Sequence, residues 1–271
     1  MFYEGVRDMG IEFLYPNGKK KAITFSYDDG QIYDEDLVEL FNRYNVKGTF
    51  HLNSGSLDKN GFVKSSELQE IYRGHEVACH GKDHKYLLQL TKEQLVTEIW
   101  EDRRNLEVYI NQPVIGMSYA FGEYSNEVMQ VLGNLGIKYS RTVQSTQGFG
   151  VPSNFMLWHP TCHHNEISMD KVNTFLDVPG YMRMPLFYIW GHSFEFAREN
   201  NWEVIERFCE RISGKEDTWY ATNLEIEHYI NAIRHMIVSV DQQTYINNSD
   251  TSVWAEYEGQ LIELKPGYTK L

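Results

Sequence analysis

The stretch Lys21-Ala-Ile-Thr-Phe-Ser-Tyr-Asp28-Asp29-Gly30 decides the fold. Its first half is short and apolar, which predicts a buried strand, and Tyr27-Asp28-Asp29-Gly30 closes it as a polar loop. Leu37, Leu40, Phe41 and Tyr44 then recur at helical spacing, and Lys47-Gly-Thr-Phe-His-Leu52 reads as a second strand. The alternation continues down the chain. A short helix from Ser66 to Arg73 stops at Gly74, and Glu76-Val-Ala-Cys-His80 is the next strand. Thr91, with Gln94 three residues on, caps a long helix running towards Asn111, ahead of Pro113. Val114 to Tyr119 is strand-like, Asn126 to Leu135 is helical with Gly136 as its stop, and Lys138 to Val143 is another strand. Phe187 to Gly191 is a strand, Trp202 to Ile212 a helix, and Thr222 to His228 a strand entering a helix around Tyr229 to Met236. The tail from Thr244 to Leu271 reads as a small β element that turns at Glu258-Gly259. Strands separated by helices imply parallel βαβ units, in which chemistry gathers at the carboxyl ends of the strands. Asp28-Asp29, His80 and His192 all fall at such ends.

Composition narrows the function classes. The chain has 271 residues, 42% of them hydrophobic, with no low-complexity tract, so a disordered or fibrous protein is excluded. An α/β barrel commonly uses about 200–250 residues as one domain, and no stretch here reads as an interdomain linker. The expectation is a single domain over residues 1–271, with a core from about 20 to 235 and a β extension from about 240 to 271. Acidic residues outnumber basic ones, 38 to 25, for a net charge of −13, which argues against nucleic acid as a partner. Lys19-Lys20-Lys21 is read as a solvated face before the strand. Cys79, Cys162 and Cys209 are too few and too scattered for a disulfide framework and read as free buried thiols. Met1 to Asp8 lacks the basic and apolar regions of a secretory signal, and Met184 to Trp190 falls far short of the ~20 apolar residues that span a bilayer. A cytoplasmic protein without membrane contact is therefore expected.

Two adjacent carboxylates at a strand end repel each other, and a cation is one reason to place them there; an ordinary Asp-Asp-Gly turn is the other. His80-Gly-Lys-Asp-His84 sets two imidazoles four residues apart, which on a helical turn brings both to one side, although satisfied structural histidines show the same spacing. Two His and one Asp suit Zn²⁺ or a similar divalent ion and leave positions open for water and substrate. The second Asp is then placed to act as general base, and His192 to protonate a leaving group.

Together, Thr24-Phe-Ser-Tyr-Asp28-Asp29-Gly30, Gly74-His-Glu-Val-Ala-Cys-His80-x-x-x-His84 and the late strand ending at His192 resemble the polysaccharide deacetylases, the carbohydrate esterase family 4 or NodB-homology group. The resemblance covers roughly residues 20–235. It implies a distorted (β/α)7-type barrel and metal-dependent hydrolysis of acetyl groups from N-acetylated or O-acetylated sugars. By position, it implies that Asp28 is the catalytic base and that Asp29, His80 and His84 hold the metal. Zn²⁺ leads the candidates, with Co²⁺, Ni²⁺ and Mn²⁺ open. His192 stands at the general acid, and Phe121 where a backbone N–H receives the oxyanion.

Three departures accompany it. Gly81 stands where the family has Ser or Thr, and Ser118 where it has an Arg that pairs with the base. No Asp lies between Arg141 and Cys162 to orient the acid, which leaves Asp177 or a non-acidic group for that task. Arg141, at the end of a neighbouring strand, is the candidate for the missing guanidinium. Tyr124, Trp158 and His163 are candidates for lining a sugar groove; the cluster Trp158-His-Pro-Thr-Cys-His163-His164 also reads as a rigid loop on Pro160. The expected partner is an acetylated carbohydrate, with oligomeric state left open. Two rival readings stand: hydrolysis of a C–N bond in a small cyclic amide or ureide, and a non-catalytic carbohydrate-binding relative.

Overall fold

The structure is a computed structural model that describes residues 10–271, so the expectation drawn from Met1–Asp8 lies outside the described residues. After a short strand β1 (Glu12–Leu14), the chain alternates β2 (Lys21–Asp29), α1 (Asp34–Arg43), β3 (Gly48–Leu52), α2 (Leu68–Ile71), β4 (Glu76–Cys79) and α3 (Lys92–Ile110). Then come β5 (Gly116–Ser118), α4 (Asn126–Asn134), β6 (Tyr139–Arg141), β7 (Cys162–His163), α5 (Met169–Leu176) and β8 (Leu186–Gly191). Helices α6 (Ser193–Glu199) and α7 (Glu203–Ile212), strand β9 (Thr218–Tyr220) and helix α8 (Asn223–Arg234) complete the α/β part. No helix of the described residues is long and apolar enough to cross a membrane.

The strands form one parallel sheet in the order β6-β5-β4-β3-β2-β8-β7, a distorted (β/α) barrel. β2 sits in its middle with eight of nine residues buried, because helices cover the outer face and side chains fill the inner one. Its edge towards β3 is shared: β9 pairs with Lys21–Ile23 and β3 with Phe25–Asp29. The barrel is closed by an extended segment rather than a full strand. Trp158 bridges Arg141 of β6 in parallel, and Thr161 N–H donates to the Tyr188 carbonyl of β8 at 2.8 Å.

At the amino-terminal end the barrel is plugged by the start of α8. Asn223 donates to the Tyr188 hydroxyl at 2.6 Å and accepts from Thr24 at 2.8 Å. The half-buried Glu76 carboxylate accepts from Leu224 N–H at 2.9 Å, Thr49 at 2.8 Å and Tyr139 at 2.6 Å. This corrects the strand expected over Thr222–His228. Thr222 and Glu225 form a capping box, so the helix begins at Asn223 and the strand is only Thr218–Tyr220. The solvated reading of Lys19-Lys20-Lys21 fits the exposed Lys20 but is corrected at Lys21. Lys21 is buried, its ammonium 3.0 Å from Asp217, because β2 enters the core at that residue. The three cysteines are free and buried.

The tail forms two antiparallel three-stranded sheets. One pairs β10 (Ile237–Val238), β11 (Thr244–Asn247) and β14 (Gly267–Lys270); the other recruits β1 to β12 (Val253–Tyr257) and β13 (Gln260–Leu264). The turn between β12 and β13 is Glu258-Gly259, both at positive φ, the conformation that a two-residue hairpin with right-handed twist favours.

Packing is tight at Gly116: a Cβ there would lie 2.2 Å from the Tyr139 ring, which its bond to Glu76 holds in place. Gly116→Ala is therefore expected to cost about 1–3 kcal/mol of stability through overpacking. An unchanged melting temperature would contradict this account of the plug.

Candidate active site

Asp28 and Asp29 end β2 at the carboxyl-terminal mouth of the barrel. Consecutive strand residues normally face opposite sides of a sheet. Here Asp29 adopts a left-handed φ of 83°, and both carboxylates end up the same distance, 3.7 Å, from His80 Nε2. Asp28 is buried, whereas Asp29 keeps a fifth of its side chain accessible.

The His80–His84 segment is a loop, not the helical turn expected from its spacing. Gly81 and His84 both have positive φ, which folds the chain back so that the two Nε2 atoms stand 3.1 Å apart. Asp102 of α3 clamps the loop from behind. Its two oxygens accept Ser54 N–H at 2.8 Å and His80 N–H at 3.1 Å, and burial pushes its carboxyl up to about 7. Gly81 has a local reason: besides its left-handed backbone, a Cβ would sit 3.2 Å from Glu98, whose carboxylate holds the Asp83 N–H.

His80 Nδ1 lies 2.7 Å from the Ser118 hydroxyl and 3.0 Å from the Ser118 carbonyl; the carbonyl only accepts and the hydroxyl gives its own proton to Asp28, so both contacts are met with the proton on Nδ1 and a lone pair on Nε2. That lone pair faces His84 Nε2 at 3.1 Å and Asp29 Oδ1 at 3.7 Å, and His84 Nε2 is likewise 3.7 Å from Asp29 Oδ1. Ligands at about 2.0–2.1 Å from a tetrahedral ion stand roughly 3.3 Å from one another. These three groups fit a divalent metal, and the side chains of Asp29 and His84, 20% and 28% exposed, leave the approach open. A second group of this kind, His163, His164 and Glu195, also exists.

Arg141 reaches across from β6. Its guanidinium pairs with Asp28 Oδ2, its Nε donates to Ser26 at 3.0 Å, and its plane lies over the Trp190 ring at 4.4 Å. Ser118, in the place where an Arg was looked for, donates its hydroxyl to the other Asp28 oxygen at 3.1 Å. Burial opposes ionisation of Asp28, but the Arg141 charge together with the imidazoles of His80, His51 and His192 outweighs it and holds the carboxyl well below the usual range.

His192 follows β8 and opens α6. The carboxylate beside it is neither Asp177, which is exposed at the end of α5, nor a non-acidic group; it is Glu195. Glu195 stands one helical turn on, with Oε1 3.5 Å from His192 Nδ1. The sequence signal for it is a Glu three residues after a His that opens a helix. Burial disfavours the His192 imidazolium, but Glu195, Asp28 and Asp29 more than offset this and raise its affinity for a proton.

The candidate groove residues divide. Trp158 is 1% exposed, packed edge-on against Tyr139 and Tyr188, and cannot line a groove; it is the barrel-closing residue. Tyr124 packs against Tyr119 and is half-buried, and His163 lies 6.5 Å, ring to ring, from His192. Phe121 sits at φ 56° with its ring 4.4 Å from His84. It stacks flat on Tyr86 at 3.8 Å, and about half of each ring is exposed, a pair that the sequence reading missed.

Residues 15–140 match the family model described as polysaccharide deacetylase. A peptidoglycan-N-acetylglucosamine deacetylase of Bacillus cereus is 26% identical over 107 residues, 39% of this chain and 48% of the relative. The chain thus spans about half the length of the curated relatives it matches. In fold, it is similar to a candidate polysaccharide deacetylase from Mycobacterium smegmatis, with TM-score 0.61, 17% identity and coverage of 83% of this chain and 95% of that one. The Xyl-CE4 domain of a multidomain xylanase from the hindgut metagenome of Trinervitermes trinervoides gives TM-score 0.56 at 18% identity, covering 79% and 92%. In sequence, just under half of the chain thus resembles the polysaccharide deacetylase family, and in fold the chain is similar to the solved structures of that kind.

Proposed function

We propose that the protein is a metal-dependent hydrolase that removes acetyl groups from an acetylated sugar or polysaccharide. The observation that carries this reading is the convergence of the bare His80 Nε2, His84 Nε2 and Asp29 Oδ1 beside an ionised Asp28. Asp29, His80 and His84 would hold the ion; two imidazoles and one carboxylate favour Zn²⁺. A cation bound there supplies Lewis acidity, which eases loss of a proton from water and draws charge from the acyl oxygen.

The chain's own groups do the rest. Asp28, kept ionised by Arg141 and Ser118, takes the proton from the attacking water. The Phe121 N–H receives the oxyanion, a role that a backbone donor performs whatever the side chain. His192, accessible over about a quarter of its side chain, gives its proton to the departing amine or alkoxide. The stacked Tyr86–Phe121 faces offer an apolar surface for a sugar ring at the rim of the site.

Asp29→Ala, His80→Ala and His84→Ala are expected to lose bound zinc and acetate release together. Asp28→Asn should keep the metal and lower kcat by about 10²–10⁴-fold. Elemental analysis and acetate release from acetylated chito-oligosaccharides, before and after chelation, check both; full activity of the metal-stripped protein would refute the reading.

Arg141→Met leaves Asp28 buried and unpaired, at an expected cost of about 3–5 kcal/mol at neutral pH. Because the pair depresses the Asp28 pKa, its stabilisation is present above about pH 4 and is lost as the pH falls through the lower folded value. The stability gap between wild type and variant, from urea unfolding, should be widest near pH 7 and narrow below pH ~4. A gap constant with pH would show that Arg141 acts through packing alone.

A further inference from the structure

Around Glu195 the structure gathers more than a general acid needs. Oε1 faces His192, while Oε2 lies 3.1 Å from His163 Nε2 and 3.0 Å from His164 Nε2. One carboxylate therefore meets three imidazoles, with Arg198 at 3.8 Å on the exposed side. His163 and His164 come from the end of β7 and the turn that follows it, Glu195 from α6, so the cluster ties two elements together.

The same three side chains meet the spacing of a metal site, but the tautomer of His163 argues otherwise. His163 Nδ1 accepts the Asn165 N–H at 3.2 Å as the cap of the turn, so its proton resides on Nε2, the atom turned to Glu195. It offers the carboxylate an N–H, not a lone pair to a cation. His164 is locked by packing. Its ring stacks on Tyr27 and Phe196, and its Nδ1 lies so close to Gly191 that a Cβ there would stand 2.1 Å away. Burial pulls His164 down to about 4, so it is neutral at physiological pH.

We propose that His163 and His164 are positioning residues that fix Glu195 beside His192 and thereby hold the acid's imidazole in the orientation and protonation state the reaction uses. The inference rests on the reading of His192 as general acid. Without substrate, His164 Nε2, His192 Nδ1 and Glu195 Oε2 make no hydrogen bond and stand in contact at 3.0–3.5 Å, close enough to tighten when substrate binds. The remaining charged groups facing His192 are Asp28 and Asp29 from β2 and His84 across the mouth; Asp28 and Asp29 stand 3.7 Å from their nearest imidazoles, whereas Glu195 has two at 3.0–3.1 Å.

The test compares wild type with Glu195→Gln, His163→Ala and His163→Gln for kcat, KM, the pH profile and zinc content. Glu195→Gln should lower kcat by about 100-fold and His163→Ala by about 10-fold, both with KM unchanged. Both should move the alkaline limb of kcat to lower pH, because the group that raises the His192 proton affinity is lost or loosened. His163→Gln restores an N–H near the Nε2 position and should recover most of the rate. Zinc content should not change in any of them. His163→Ala with wild-type kcat and pH profile would overturn the proposal, as would loss of an equivalent of zinc, which would identify a second metal site. NMR titration of His192 separates this inference from the function it builds on. If wild type releases no acetate, the function fails, while the His192 midpoint in His163→Ala still decides: a downward shift supports the cluster and an unchanged midpoint overturns it.

Discussion

The site depends on the proton of His80. With that proton held on Nδ1 by the Ser118 carbonyl, Nε2 has nothing to donate and can only accept or ligate. Every element around it serves that state. β5 supplies the carbonyl, Asp102 of α3 and Asn53 fix the loop backbone, and the left-handed turn at Asp29 swings a second donor oxygen into reach. The mouth gathers two carboxylates and two imidazoles, and Arg141 neutralises Asp28 alone.

Charge is then divided between two carboxylate–cation systems on either side of this centre. Asp28 is sealed in the barrel against Arg141, where removal of either partner strands a charge in the interior. Glu195 lies nearer the surface, among three imidazoles. The first system favours a group that stays ionised and accepts a proton, the second a group that holds a proton until a leaving group takes it. Opposed environments of this kind support the proposed roles of Asp28 as base and His192 as acid.

Much of this was legible in the sequence, because strand periodicity and loop polarity are local signals. β3, β4, β8 and α3 appear within a residue or two of their expected limits, whereas β2 runs three residues further, through Tyr27–Asp29, where a polar loop was expected. Arg141 was reachable too, since neighbouring parallel strands bring their carboxyl ends together. What failed was non-local or conformational. Trp158 looked like a groove aromatic because nothing in its neighbourhood reveals that its segment closes the barrel between β6 and β8. The His80–His84 spacing fits a helical turn, but positive φ at Gly81 and His84 brings the rings together by another path. Thr222-x-x-Glu225 was a capping box hidden inside a stretch that also reads as a strand. The Tyr86–Phe121 pair joins residues 35 positions apart, and no spacing rule connects them.

X-ray absorption spectroscopy of the zinc-loaded protein tests the central claim most directly. The account predicts a first shell with two imidazole nitrogens at about 2.0–2.1 Å, completed by oxygen, and no sulfur. A shell lacking imidazole scattering, or one with a different imidazole count that survives in Asp29→Ala, would show that the ion binds elsewhere and would contradict the account.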